Sequence, residues 1–347
     1  MTVDYSINYI AFALVCALLM LLPFWPAFRE WRHPSDAAAL PVSPDYSSDI
    51  DYFARRLQAD VAARLGKGPA TGYSDFDFVR VPVENMNWLK ASKRLISARG
   101  IKSPMPVRTI QPLYVLGSIH AGAESSFSVL YATGNIELDK KSEIHDWAHA
   151  DGVVRLGHKS LALRRISAGM AIELGEEAWF ERLQAPVLYF GSRTSHALPP
   201  AQADQTPASF ADLPGAVRQT PSLFLIRGDC ELPAGNIYCG SLIVTGFLTV
   251  GERTTITGDI KSREGISIGQ GAWVQGAITC EKRVYVFKDA RVAGPLISER
   301  DILIGANALI GQPDANTSVS ARNIIVENGV VVHGAIWAHE IGMVKSI

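Results

Sequence analysis

Apolar positions recur every eighteen residues over residues 247–340, and the residue between two of them is usually polar. Most of these apolar residues are β-branched, which favours extended backbone. A fixed period of this kind predicts a solenoid of short strands. The three columns that carry the period read Leu248, Ile266, Val284, Ile302 and Ile324; then Val250, Ile268, Val286, Ile304 and Val326; then Ile256, Val274, Val292, Ile310 and Val332.

Glycine recurs at one corner of this repeat, at Gly258, Gly276, Gly294 and Gly334. We expect this corner to need backbone angles that glycine adopts without penalty. Each turn of chain is then two or three short strands joined by tight bends, and successive turns stack ~4.8 Å apart in parallel register. The predicted fold class is all-β, a parallel β-helix with ~18 residues per rung over residues 222–347.

The same period is weaker over residues 112–191. It predicts about four rungs of an N-terminal solenoid-like region, either continuous with the later stack or separate from it. An ordinary β-sheet domain with coincidental spacing is the alternative. Residues 192–221 are rich in proline and alanine and indicate a linker or loop. The pairs that keep the step are Ile136/Leu138, Val154/Leu156 and Ile172/Leu174.

The N-terminal segment is apolar and predicts a membrane anchor within residues 1–32. No charged residue occurs from Tyr9 to Phe28, and twenty helical residues span ~30 Å. A signal peptide would need basic residues before this stretch and a small-residue cleavage site after it; a buried helix is the other alternative. The arginines that follow the span predict a single pass with the body in the cytoplasm. The anchor residues are Tyr9, Leu18, Leu21, Leu22, Trp25 and Phe28.

Between the anchor and the solenoid, residues 33–47 read as a flexible linker and residues 48–111 as a helical or mixed segment. Apolar residues at helical spacing predict one short amphipathic helix near its start. We also expect a second helix over residues 85–97. The residues that carry the first pattern are Ile50, Phe53, Leu57, Val61 and Leu65.

Charge and cysteine usage narrow the possible functions. The net charge is -1, so no basic surplus points to nucleic acid. The four cysteines form no CxxC or Cys/His metal spacing. His145 and His149 are four residues apart, but no third metal ligand is evident. We therefore expect no catalytic, cofactor-binding or metal residues, and no cofactor.

The repeat blocks resemble those of bactofilins, which are polymer-forming bacterial cytoskeletal proteins. The blocks that carry the resemblance are Leu248–Ser262 and Ile266–Ile278. The resemblance covers about the last third of the chain. It implies a right-handed β-helix that forms nucleotide-free filaments through its ends, bound to the bacterial inner membrane. It also implies a scaffold role in cell shape, with cell-wall or envelope enzymes as partners. The large N-terminal half and the short tail depart from the family pattern.

An exposed terminal rung offers unpaired backbone groups and a cut apolar core, so it favours pairing with another copy. We therefore predict a membrane-anchored, self-associating β-helix scaffold without catalytic activity, whose partners are other copies of the chain and the membrane. The residues predicted to line or edge the polymerisation interface are Ile324, Val326, Val330, Val332, Ile336 and Ile341.

Two alternatives stay open at the level of sequence. One is a membrane-tethered binding module for a polysaccharide or protein, with Trp273, Tyr285 and Trp337 as outward aromatic contacts. The other is a left-handed hexapeptide-repeat acyltransferase, which needs a histidine as general base, here His333 or His339.

Overall fold

The computed structural model describes residues 5–32, 50–66, 75–79, 86–192 and 205–346. The chain divides into two compact units, Met1–Asp49 and Ile50–Ile347. The linker predicted over 33–47 lies outside the described residues.

The described part of the first unit, residues 5–32, is helical and mostly apolar. Helix α1 (Tyr5–Leu21) leads through a 3-10 turn (Leu22–Phe24) into α2 (Trp25–Arg32). Pro23, which lacks a backbone N–H, falls in the turn. Within Tyr9–Arg32, the most apolar window of 18 residues has a mean hydropathy of 2.3, and none of that window is buried. By length and composition it fits one membrane span or a signal sequence. The predicted anchor residues are all exposed there: Tyr9, Leu18, Leu21, Leu22, Trp25 and Phe28.

The second unit begins with α3 (Tyr52–Gly66), which confirms the predicted short helix. The second helix expected over 85–97 is wrong: Trp88–Lys90 is a 3-10 turn, and Arg94–Ser97 is a strand. Leu95 packs into the core inside the stack, and Ile96 packs outside it under α3. Because both faces of this strand are buried, its apolar residues do not alternate with polar ones, and the pattern resembles a helix.

Thirty-two strands of the described chain form the remainder of this unit. The first thirteen make a first stack: β1 (Phe76–Phe78), β2 (Arg94–Ser97), β3 (Ile101–Ser103), β4 (Arg108–Thr109), β5 (Leu113–Val115), β6 (Ile119–Ala121), β7 (Ser126–Ala132), β8 (Ile136–Leu138), β9 (Glu143–Ala150), β10 (Val153–Leu156), β11 (Leu161–Ala168), β12 (Ala171–Leu174) and β13 (Trp179–Phe190).

The second stack also has a short 3-10 turn, Phe210–Asp212, near its start. Its strands are β14 (Thr206–Ala208), β15 (Ala216–Thr220), β16 (Leu223–Ile226), β17 (Cys230–Leu232), β18 (Asn236–Tyr238), β19 (Ser241–Val244), β20 (Phe247–Val250), β21 (Thr255–Ile256), β22 (Ile260–Ser262), β23 (Gly265–Ile268), β24 (Trp273–Val274), β25 (Ile278–Cys280), β26 (Arg283–Val286), β27 (Arg291–Val292), β28 (Leu296–Ser298), β29 (Asp301–Ile304), β30 (Leu309–Ile310), β31 (Thr317–Val326) and β32 (Val330–Val344).

Together the two stacks form a β-solenoid of about 14 turns with ~18-residue rungs, as the repeat predicts. Each turn contributes strands to three parallel columns. In the second stack Leu248 pairs with Ile266, which pairs with Val284, and the same step continues through Ile302 to Ile324. These residues are fully buried. The core is therefore a set of vertical aliphatic ladders inside a three-sided tube.

The corner glycines are there for a different reason from the one predicted. Gly258, Gly276 and Gly294 do not have a positive φ; of the four corner glycines named from the repeat, Gly334 alone does, at 118°. A Cβ at Gly258 would lie 2.3 Å from the carbonyl oxygen of Gly240, on the rung before it. At the first three positions glycine is required because adjacent turns approach too closely for any side chain.

Helix α3 packs on the outside of the first stack. Ala54, Leu57 and Val61 contact an outward patch of the stack that is formed by Ile96, Tyr114, Val129 and Tyr131. The rings of Tyr114 and Tyr131 stack with centroids 4.7 Å apart.

A polar cluster lies at the start of α3. His149 Nδ1 lies 2.7 Å from Ser167 Oγ and 3.5 Å from Asp51 Oδ1, and His149 Nε2 lies 3.3 Å from Asp151 Oδ1. Tyr131 donates a hydrogen bond of 2.7 Å to Asp151. Burial and this bond raise the pKa of Tyr131. Burial alone would raise the pKa of Asp51, but hydrogen bonds to His149 and Ser167 outweigh it and lower that pKa.

Candidate functional site: the paired ends of the two stacks

The last rungs of the two stacks pair with each other. Strand β13, which ends the first stack, runs antiparallel to β32, which ends the second. Among the other strand pairs of the described residues, only β15 with β16 is also antiparallel. The two stacks therefore meet through the ends at which each finishes. The partners along this contact include Phe190 with Val330, Leu188 with Val332, and Leu183 with Ile336.

The junction between β13 and β32 has a continuous apolar core. One cluster of buried residues includes both strands and extends into both stacks. The rings of Phe180 and Phe190 lie 5.5 Å apart inside it. A Cβ on Gly342 would lie 2.4 Å from the Phe180 ring and from its carbonyl oxygen. The two ends thus fit without room for even a methyl group at this point.

Hydrogen bonds also join the two stacks at one corner of the junction. Asn328 Nδ2 donates to Glu176 Oε1 at 2.8 Å, and Ser346 Oγ donates to Glu176 Oε2 at 3.0 Å. These two hydrogen bonds, Asn328 first, lower the pKa of Glu176. On the backbone, Gly329 N donates to the Phe190 carbonyl at 2.8 Å. These contacts join residues about 150 positions apart, whereas ladder contacts join residues about eighteen apart.

The residues predicted as a polymerisation interface surround this junction. Val330, Val332 and Ile336 lie on β32 and are fully buried against the first stack. Ile324 and Val326 are buried one rung away, and Ile341 is 41% exposed. That these residues join one chain to another stays a prediction. In this chain the rung that they line pairs with the chain's own first stack.

The two histidines considered as general bases also lie on β32. His333 Nδ1 is 3.3 Å from the Pro186 carbonyl oxygen, and burial lowers the pKa of His333. The His339 ring packs against Trp337 at a tilt of 37°, with ring centroids 4.1 Å apart, and His339 Nε2 lies 3.2 Å from Ser320 Oγ. Both therefore contact the junction strands.

The three outward aromatic candidates are not brought together, because each lies on a different column of the solenoid. Trp273 is on β24 and Tyr285 on β26, and both are partly exposed. Trp337 is 43% exposed on β32, with the Arg182 guanidinium 4.9 Å from its ring centroid. A partner that used all three would have to surround the tube.

The opposite ends of the stacks differ from the junction. At the starting end of the second stack β14 pairs with β18, and the only strand partner of β15 in the described chain is β16. Phe210 covers the core there, stacking on Tyr238 with centroids 4.8 Å apart. Most of β15 is exposed, and Val217 is 51% exposed. Strand β1 of the first stack pairs only with β2 among the described residues. Strands β14 and β15 fall in the segment predicted as a linker or loop, where Pro207, Pro214 and Pro221 hide the strand signal.

The metal pair considered from the sequence is not part of a metal cluster. Within the described ranges, no group of three or more His, Cys, Asp and Glu residues is placed to hold a metal ion. His145 lies 3.0 Å from Ser126 Oγ and 3.3 Å from Glu143, whereas His149 belongs to the polar cluster beside α3.

No protein-family model, curated protein or solved structure matches the chain. The chain is therefore described by its architecture, a β-solenoid scaffold with an N-terminal apolar helix.

Proposed function

We propose that this protein is a membrane-anchored, self-associating scaffold without catalytic activity, of the kind that bactofilins exemplify. The observation that carries the proposal is the junction between β13 and β32. There two solenoid ends already join through strand pairing and a shared apolar core. An end of this solenoid is thus able to accept another end as its next rung.

The contact between chains is proposed at the outer ends. The two finishing rungs pair within the chain, which leaves the starting ends, at β1 in the first stack and at β14 and β15 in the second. Strand β15 presents an edge with one strand neighbour in the described chain, and its side chains face solvent. Such an edge favours addition of a further strand.

The apolar helix supplies the location in this proposal. Arg29 and Arg32 close the Tyr9–Arg32 stretch, and Arg55, Arg56 and Arg64 follow it in the sequence. The positive-inside rule then places the body in the cytoplasm at the bacterial inner membrane. Confinement to the membrane surface raises the local concentration of ends without adding a contact. Cell-wall or envelope enzymes are the proposed clients of the scaffold.

The test uses the second unit, residues 50–347, which contains both buried clusters and so carries its own core. Negative-stain microscopy and sedimentation velocity, without nucleotide, should show filaments or larger assemblies. Val217→Lys places a charge on the β15 edge and should reduce assembly. Thr279→Lys, on an exposed mid-stack position, is the matched control and should assemble normally. A monomer at every concentration would contradict the proposal.

A tethered binding module is the second candidate, and the surroundings of Trp337 favour it. Its partly exposed ring has the Arg182 guanidinium 4.9 Å from its centroid and the His339 ring packed against it. Exposed aromatic rings of this kind contact sugars and proteins. A monomer that binds acidic polysaccharide, with binding lost in Trp337→Ala, would support this function over the scaffold.

A further inference from the structure

An unbroken series of outward apolar side chains crosses the junction on one face of the solenoid. Each member is the direct register partner of the next, from β26 through β29, β31 and β32 to β13 and β11. We call this series the junction ladder; its members are Tyr285, Leu303, Ile325, Met343, Trp179 and Leu161.

The apolar character is confined to the neighbourhood of the junction. In the same column, Ser267 precedes Tyr285 and Glu143 follows Leu161. A different outward column of the first stack is charged instead, where Arg155 bonds Glu137 at 2.6 Å and Glu173 at 3.1 Å. Because Met343 and Trp179 come from different stacks, the ladder exists only when the two ends are joined.

The dimensions of the ladder suit a weak protein contact. Six strands at ~4.8 Å spacing place its two ends ~24 Å apart. Trp179 is 43% exposed, and Ile341 and Phe287 beside the ladder are 41% and 52% exposed. An apolar strip of a few hundred Å² marks an interaction site, but it falls below the ~800 Å² per partner of a stable dimer.

The charged residues beside the ladder indicate what kind of surface meets it. On its two sides, Arg283 pairs with Asp301 at 2.8 Å, Lys345 with Glu327 at 3.7 Å, and Lys159 with Glu177 at 3.3 Å. Both signs occur together and each cation has an anion beside it. This rim therefore offers no surplus charge to a lipid surface or a nucleic acid, and it favours an apolar protein face.

We propose that the junction ladder binds the same ladder of a second copy, so that two solenoids pack side by side, sheet against sheet, ~10 Å apart. An apolar residue at every position makes the strip complementary to itself about a two-fold axis, as an isologous contact requires. The inference rests on the proposed membrane tether, because copies held on one surface associate through a contact that is weak in solution.

The first experiment is cross-linking of the full chain in membranes. The exposed cysteines are removed by Cys16→Ser and Cys239→Ser, and a single cysteine is introduced as Ile325→Cys on the ladder or Lys261→Cys on another column. Copper-phenanthroline oxidation should give a disulfide-linked dimer for Ile325→Cys and monomer for Lys261→Cys. Absence of a dimer at position 325, or equal dimer at both positions, would overturn the inference.

The second experiment measures affinity in the 50–347 fragment by sedimentation equilibrium. Leu303→Lys should raise the dissociation constant of the side-by-side dimer about tenfold or more, because a lysine must be desolvated or excluded from the apolar contact. The circular dichroism spectrum of Leu303→Lys should match that of the parent fragment, because the side chain at position 303 faces outward and not into the core. An unchanged dissociation constant with a native spectrum would overturn the inference.

The two proposals fail in distinguishable ways. If filaments are lost in Val217→Lys but form normally in Leu303→Lys, and if Ile325→Cys gives no disulfide-linked dimer, the side-by-side contact alone is refuted. A position-325 disulfide in chains that never form filaments refutes end-to-end assembly alone.

Discussion

The two stacks share a three-column plan but differ in how strictly they repeat. From β16 to β30 of the second stack the ladders advance by eighteen residues, as from Leu248 to Ile266 to Val284, and most of their members are β-branched. In the first stack Leu113 pairs with Leu130 and Ile172 with Leu188, which are shorter steps. Register shifts interrupt its inner pairs β7–β9 and β11–β13, whereas in the second stack they occur only at the two ends, in β15–β16 and β31–β32. A solenoid thus tolerates loss of its exact period as long as each rung still covers the one before it.

The outer surfaces differ as well. The first stack holds α3 against Ile96, Tyr114, Val129 and Tyr131, with the polar cluster at one end of the helix. The second stack shows no such helix in its described residues, and its corners carry ion pairs between rungs, such as Arg263 with Glu281 at 3.3 Å. The stack with the irregular rungs is thus also the one that carries a helix on its outside. Its bulky outward residues, such as Tyr114 and Tyr131, form the surface on which that helix packs.

The largest effects should come from a buried charge in either stack. Ile268→Asp and Val154→Asp each place an unpaired carboxylate at a fully buried ladder position, at a cost above about 4 kcal/mol. Because solenoid rungs contact mainly their neighbours, we expect the damage to stay within one stack. Hydrogen exchange should show β20–β26 unprotected in the first variant and β5–β11 unprotected in the second.

Thr249→Asp, an outward position next to the same ladder, is the control and should change stability by less than about 0.5 kcal/mol. Equal loss of protection in both stacks from either core variant would show that the solenoid unfolds as one cooperative unit, and the distinction between the stacks would then be geometric only.

Alanine replacement of one glycine in each stack should have a smaller effect, and the two costs should differ according to whether backbone or a side chain lies closest. A Cβ at Gly258 would meet the Gly240 carbonyl oxygen at 2.3 Å, and backbone on both rungs must move. At Gly152 in the first stack the nearest atom is the Asn135 side-chain oxygen at 2.2 Å, and moving it costs only the hydrogen bond that it accepts from Val153 N. We expect Gly258→Ala to cost about 2–3 kcal/mol and Gly152→Ala about 1 kcal/mol in urea unfolding of the 50–347 fragment.

Gly235→Ala is the matched control, since a Cβ there meets nothing within 4 Å and only its φ of 73° is unfavourable. Its expected cost is about 1 kcal/mol. If Gly258→Ala is no worse than this control, close approach of the rungs does not explain the corner glycines.

The smallest effect concerns the α3 contact that the second stack lacks. Since the folded state lowers the pKa of Asp51, its charged form stabilises docking above the ordinary aspartate pKa of about 3.9. That contribution is lost as the pH falls through the lower folded-state pKa. Asp51→Asn should remove this acid dependence and cost about 1 kcal/mol at neutral pH. Fluorescence of Trp147, which packs beside the α3 contact, is the readout.

Asp212→Asn, on the 3-10 turn of the second stack, is the control and should leave the acid transition unchanged. An acid transition that is identical in Asp51→Asn and the parent would show that this carboxylate does not hold the helix.

The sequence predicts the parts of this fold that depend on residues one rung apart. The columns through Ile256 and Val274 are readable because each member lies eighteen positions from the next. The β13–β32 junction leaves no such trace, since its partners are far apart in the chain and Val330 or Leu188 looks like any other core residue. The polar cluster at α3 leaves no trace in the sequence either, because an acidic residue such as Asp51 at a helix start is sufficiently explained by its favourable interaction with the helix dipole.

The junction also has a consequence for synthesis of the chain. Glu176 and its partner Asn328 are 152 residues apart, so the first stack leaves the ribosome long before the strand that seals it. At a synthesis rate of roughly 5–20 residues per second, the last rung of the first stack stays uncovered for roughly 8–30 s. Neighbouring nascent chains on one messenger RNA expose the same rung during this interval. Slow translation through the second stack would therefore lengthen the time in which β13 of one nascent chain can pair with β13 of another instead of with its own β32.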